Sequence, residues 1–196
     1  EAGSAERVQE LARRVANGES PWARGEGVGD RYIDDYDWVM ERDKHETRIY
    51  SRCRRWLYRR WRFWGNGSRT ICFVGKYPSE SQWRKQLAVA KFLKCDGCES
   101  VNLFAWSLPE PPHDGASEVG ASCDSHISQA VMASSCTVIC WGDGGYRGKY
   151  VAKAISRRVG VDGVRFFGID SDGNPLPSGT GRDLVRVREF FNDDGE

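Results

Sequence analysis

The chain lacks a long hydrophobic run. No apolar stretch approaches the roughly 20 residues of a membrane-spanning helix, so a helical membrane protein is not expected. Residues 1–18 lack the layout of a secretory signal. No internal repeat is visible, which sets aside a repeat array. Net charge is nearly absent, because 29 Lys+Arg stand against 28 Asp+Glu. The 7 cysteines are odd in number and scattered. Thiols so placed point to a reducing, cytoplasmic setting rather than a disulfide scaffold.

Two metal and phosphate signatures are also incomplete. Cys95 and Cys98 have the spacing of two zinc ligands, but Cys123, Cys136 and Cys140 form no second pair. The pair reads as structural, and no metal is expected. The stretch GDGGYRGK resembles a phosphate loop. Its Gly142 to Gly148-Lys149 spacing is one residue too long, and Tyr150 stands where Ser or Thr belongs. An NTPase is discounted, and no cofactor is expected.

What the chain does have is aromatic side chains, with 8 Trp, 7 Tyr and 8 Phe, and a hidden charge asymmetry. Residues 26–46 hold eight acids and three bases, whereas residues 48–94 hold thirteen Lys/Arg and one acid, Glu80. A basic block of this kind is a local electrostatic feature whose commonest strong partner is nucleic acid. The competing reading is an internal match, with the acidic arm folded over the basic segment. RCRRWLYRRWRFW, residues 52–64, interleaves six arginines with five aromatics. Arginines neutralise phosphates and aromatics stack on bases, or the rings bury while the guanidinium groups snorkel.

The length fits one compact domain, read as an N-terminal helix and acidic arm over 1–47 and an α/β domain over 48–196. Apolar spacing predicts a helix over 5–17, and a Gly/Pro/Ser linker follows. From Thr70 strands and helices alternate. Strands are expected at TICFVG, SVNLFAW, CTVICWG and GVRFFGI, and helices over 81–93, 124–133 and 148–159, with Asp124 or Ser125 as an N-cap. Residues 183–191 close the domain. Continuously apolar strands alternating with helices mean a three-layer α/β sandwich with a mainly parallel central sheet. Ligands of such sheets bind at the carboxyl ends of the strands. The unusual segments 75–79, 106–112, 141–146 and 170–182 all fall there.

The segments RRWRFWGNGSRTICFVGKYPSES, VNLFAWSLPEP, VICWGDGG and FFGIDSDGNPLP resemble an uncharacterised family of bacterial and phage proteins. That family carries a Leu-Asn-Pro-Ser-Thr-Ala-Asp turn, a Val-Asn-Leu-Phe-Ala strand and a Trp-Gly turn. The layout in turn resembles the uracil-DNA glycosylase superfamily. The resemblance implies a water-positioning turn at Gly75-Lys76-Tyr77-Pro78 and a base-reading amide at Asn102. It also implies a third turn at Trp141-Gly142 and an intercalating loop at Leu176-Pro177-Ser178. Two residues depart from the pattern: Tyr77 stands where Asp or Asn is expected, and the His expected near Pro177 is missing.

The implied activity is a DNA glycosylase that flips out a modified base of double-stranded DNA and hydrolyses its N-glycosidic bond. The altered turn points away from plain uracil. A glucosylated hydroxymethylcytosine of phage DNA, removed in phage defence by a monomeric protein, is the specific expectation. Asp143 is the expected water activator, with Asp172, His126 and Asp124 behind it, and Tyr77 and Lys76 complete the catalytic set. Gly75, Pro78, Phe104 and Trp141 join Asn102 in base binding. Ser79, Arg147, Ser178, Arg182, Arg59 and Arg60 are assigned to the DNA backbone. Two alternatives remain: a catalytically inactive nucleic-acid-binding module, and an enzyme of free modified nucleotides.

Overall fold

The structure is a computed structural model that describes residues 38–43, 45–65, 68–109, 118–178 and 184–185. All belong to one compact unit, Asp37–Glu196. Seven strands, β1 (Trp38–Arg42), β2 (Thr47–Ser51), β3 (Leu57–Phe63), β4 (Thr70–Gly75), β5 (Gly97–Asn102), β6 (Cys136–Ile139) and β7 (Val164–Phe166), form one sheet in the order β1-β2-β3-β5-β4-β6-β7. Three helices are described, α1 (Glu80–Phe92), α2 (Cys123–Ala133) and α3 (Gly145–Val159). No helix among the described residues is long and apolar enough to cross a membrane.

The expected α/β alternation from Thr70 onward is present, and β5, β4, β6 and β7 are mutually parallel. The other half of the sheet departs from expectation. β1, β2 and β3 form an antiparallel meander that joins β5, also antiparallel. β1 and the turn into β2 lie in the acidic segment, whose conformation the sequence leaves open. Period-2 burial in TRIYS is legible, but the arginines of LYRRWRF mask a strand in which four of seven residues are buried, Leu57, Tyr58, Arg60 and Trp61, and Arg59 and Arg62 are half-buried.

The layers follow from chain direction. The chain crosses from β4 to β5 one way and from β5 through β6 to β7 the other way. Right-handed crossovers then place the helices of opposite moves on opposite faces. α1 supplies Trp83, Val89 and Ala90 to a core with Ile71, Phe73, Cys98, Val138 and Cys140. α2 and α3 cover the other face, where Leu103 lies against the Gly144 and Gly148 backbone. Two helix starts differ from the expected ones. α2 begins at Cys123, so Asp124 and Ser125 lie in its first turn rather than capping it. α3 begins three residues early, at Gly145, because the Asp143 carboxylate accepts a 2.9 Å hydrogen bond from the Gly145 N–H.

Part of the charge asymmetry is resolved inside the fold. Glu46, at the end of the acidic segment, accepts from Arg60 at 2.7 Å, from the Trp83 indole at 2.7 Å and from Arg48. Arg60 also reaches Glu80 at 2.8 Å and lies over the Trp83 ring. Arg59 pairs with Glu99 and stacks over Trp61. Ile49 pairs with Arg59 but Tyr50 pairs with Leu57, so Tyr58 is the extra residue of a bulge. That bulge turns Tyr58 onto His126 of α2, with ring centroids 5.1 Å apart.

Candidate functional site

The loops after β4 and β6 diverge, since one leads to β5 and the other to β7 on the opposite side. A crevice opens between such strands at their carboxyl ends. A cavity of about 220 Å³ lies there. Its walls are Gly75, Lys76 and Tyr77 after β4, Ser100 and Asn102 of β5, and Cys140 and Trp141 after β6. Ser79, Gln82 and Gln86 come from α1, and Pro177 and Ser178 from the loop after β7.

On the α1 side of the sheet the core is apolar until this edge, where it turns polar. Gln86, Ser100, Asn102 and Ser178 are all buried. Buried polar groups are ordinarily paired, so unpaired ones at a cavity wall are candidates for contact with a ligand. The Asn102 amide has no hydrogen-bond partner among the described residues, yet Asn102 is only 6% exposed. Gly75 makes room for it: a Cβ at position 75 would stand 2.7 Å from Asn102 Oδ1. The Oε1 atoms of Gln82 and Gln86, one helical turn apart, are also buried without partners.

A directional chain of donors fixes the back wall. Gln86 Nε2 donates to Ser178 Oγ at 3.2 Å, and Ser178 Oγ donates to Cys140 Sγ at 3.1 Å. The Cys140 thiol ends the chain on the Val74 carbonyl at 3.5 Å. Helix α1, the loop after β7, β6 and β4 are thereby tied together. Burial pushes the Cys140 thiol up to about 12, against the lowering influence of Ser178 and Gln86, so it is a neutral donor at pH 7.

The rim is aromatic. β5 continues past Asn102 in register with the turn, as Leu103 N donates to Gly75 O at 2.8 Å and Phe104 N to Lys76 O at 2.9 Å. Asn102 and Phe104 therefore share a direction, one at the floor and one under the rim. Tyr77 stacks on Phe104 at 5.1 Å and donates its hydroxyl to Glu118 at 2.5 Å. Burial, with the Glu118 carboxylate beside it, raises the phenol to about 12. Lys76 is the one basic side chain in the lining, which holds no acidic one among the described residues. Ser79 caps α1 by accepting from Gln82 N, as its sequence position suggests.

Several expected site residues lie elsewhere. Asp143 is exposed, its carboxylate accepts from the Gly145 N–H in the turn before α3, and it is not part of the cavity wall. His126 is 5% exposed, wedged between Tyr58 and the edge of Trp38, and burial lowers it to about 3. Asp124 pairs with Arg147, which also donates to the Leu103 carbonyl, so both fasten α3 to α2 and β5. Asp172 lies in an exposed turn organised by Asp170. Arg59 and Arg60 face Glu99, Glu46 and Glu80 instead of solvent, which favours the internal charge match for these two. Ser178, expected to face DNA, is 3% exposed in the cavity wall, and Leu176 packs on the core. Pro78 and Phe104 support the rim without lining the cavity, while Trp141 does line it. Arg182 lies outside the described residues.

Gln82, Gln86, Ser100 and Cys140 are the site residues that sequence reasoning passes over. The one signal is position: Gln82 and Gln86 are i, i+4 on a helix directly after the Gly-Lys-Tyr-Pro turn, on the face that carries Trp83 and Val89 inward. No family model matches the chain, and neither a curated protein nor a solved structure is significantly similar to it.

Proposed function

We propose that this protein is a DNA glycosylase that accepts an extruded base in the cavity between β4 and β6 and hydrolyses its N-glycosidic bond. The observation that carries the reading is convergence. Four separate segments assigned by resemblance, Gly75–Tyr77, Asn102, Trp141 and Pro177–Ser178, line one cavity, and the Asn102 amide at its floor is unpaired. An amide offers a donor and an acceptor side by side, which is what the Watson–Crick edge of a base requires. The same convergence supports a uracil-DNA-glycosylase-like sandwich as the fold.

The chemistry available is electrostatic. As the glycosidic bond breaks, its electron pair leaves with the base. The ammonium of Lys76 stabilises that charge in a site screened from water. Water adds to the sugar carbon, and the proton it releases goes to the departing base anion. Tyr77 and Cys140 stay protonated, with their hydrogens given to Glu118 and to the Val74 carbonyl. About 220 Å³ is below the roughly 300–1,000 Å³ of drug-sized sites and fits one ring system. A glucosyl group on hydroxymethylcytosine would project past Lys76 and Tyr77 at the rim.

The test is to incubate the protein with unmodified, uracil-containing and glucosylated phage DNA and to count abasic sites. Sites are expected in the glucosylated DNA. Asn102→Ala is expected to slow their formation roughly 10- to 100-fold, the cost of losing one bidentate contact, with an unchanged melting temperature. Gly75→Ala should have a comparable effect, because its methyl group turns the amide away while touching only a side-chain tip. No abasic sites in any DNA would overturn the reading.

One observation favours a second reading, a binding module without hydrolysis: no carboxylate or imidazole lines the cavity among the described residues. That reading predicts salt-sensitive binding of the modified DNA, weakened by Asn102→Ala, with no base released. An enzyme of free nucleotides would instead bind DNA weakly and with little salt dependence.

A further inference from the structure

Helix α3 has one face that the fold consumes and one that it does not. Gly148, Val151, Ala152 and Ile155 are buried against the sheet. On the opposite side Tyr146, Lys149, Tyr150 and Arg157 fall on a single stripe, because 3.6 residues make a turn; Lys153 beside them has a partner of its own. Tyr146 is 88% exposed and Tyr150 57%. The helix, GYRGKYVAKAISRRV, contains five bases and no acid. Two of its bases are turned away from the stripe, Arg147 to Asp124 and Arg158 to the Met132 sulfur. The Tyr146 end stands at the carboxyl edge of the sheet, just after Trp141 of the cavity wall. The stripe runs about 16 Å from there to Arg157, at about 1.5 Å per residue.

We propose that this outer face of α3 binds single-stranded nucleic acid, with its cations against phosphates and Tyr146 and Tyr150 stacked on unpaired bases. Charge complementarity selects a polyanion, since Lys149 and Arg157 are exposed on a helix that carries no acid. The rings select among polyanions. Lys and Arg alone would serve any of them, but two exposed aromatics one turn apart add flat surfaces for bases. A paired, stacked base has no free face to offer, so the surface prefers an unpaired strand. A lipid surface fits poorly, because an interfacial helix inserts Leu, Phe or Trp, and the apolar face of α3 is already buried on the sheet. The surface is separate from the cavity and does not depend on the glycosylase reading.

Fluorescence anisotropy with labelled, unmodified oligonucleotides tests it. The wild type is expected to bind the single strand more tightly than the matching duplex. Tyr146→Ala with Tyr150→Ala should weaken single-strand binding about tenfold or more and leave duplex binding nearly unchanged. Lys149→Gln with Arg157→Gln should reduce the slope of log K against log salt by about 1.4, two phosphate contacts' worth for a single strand. All four replaced side chains on α3 are exposed, so melting curves should coincide. Isotherms unmoved by both double variants would overturn the proposal. So would equal weakening of single-strand and duplex binding by the tyrosine pair, or binding of phosphatidylserine vesicles but not of oligonucleotides.

Discussion

Glu99→Ala is expected to destabilise the protein by about 3–5 kcal/mol, the usual cost of leaving one partner of a buried ion pair uncompensated. Glu99 lies on β5, every residue of which is buried, and its side chain is 5% exposed. Its partner Arg59, on the neighbouring β3, is 12% exposed at the side chain and has Trp61 on one side. Without the carboxylate, the guanidinium is left beside Trp61 with little exposure to water and no paired charge. Urea unfolding monitored by tryptophan fluorescence reads the loss. The second arm is the double variant Glu99→Leu, Arg59→Met, which removes both charges at similar volume. It should recover most of the stability, because the pair's attraction roughly offsets its own desolvation. A single variant that loses under about 1 kcal/mol would mean that the pair behaves as an exposed one.

The second large effect is on acid stability, and it comes from His126. Burial, with the Arg59 charge as a lesser cause, lowers this imidazole to about 3, and Nδ1 has no partner. The unfolded chain takes up the proton near the ordinary value of about 6.5, while the folded chain does not until about 3. Between those values the unfolded state binds more protons, so stability rises with pH and is lost as pH falls. The slope reaches about 1.4 kcal/mol per pH unit, and the whole interval is worth on the order of 5 kcal/mol. His126→Phe, which keeps a flat ring against Tyr58, should flatten this part of the profile while carboxylate titration continues below about pH 5. Equal slopes for the two proteins between about pH 6.5 and pH 5 would show that His126 is solvated.

Both predictions rest on residues that sequence reasoning placed in other roles. Arg59 reads as a phosphate ligand within a dense arginine run, and His126 as a reserve general base. Neither local stretch records the partner. Glu99 is 40 residues from Arg59, and the β3 bulge that brings Tyr58 to His126 depends on pairing with β2. Asp143 failed to reach the cavity for a shorter-range reason. A carboxylate two residues before a helix N–H satisfies that donor first, and a Gly-Asp-Gly-Gly turn is as good a cap as it is a candidate site.

Local pattern by itself determined the alternation of elements from Thr70, the parallel strands, and the edge of the sheet at which a cavity would form. It also put the segments 75–79 and 141–146 at that edge, whereas Asn102 was implied there only by the resemblance. These follow from apolar runs, turn residues and the handedness of crossovers, all of which act over short stretches of chain. Only the tertiary structure decided which polar groups remain unpaired. Gln86 is tied by Ser178, 92 residues away, and Arg60 by Glu46 across the β2–β3 hairpin, while Asn102 is left open because Gly75 has no side chain. Whether a polar atom is satisfied depends on what the whole fold brings to within hydrogen-bond reach, and no stretch of sequence carries that distance.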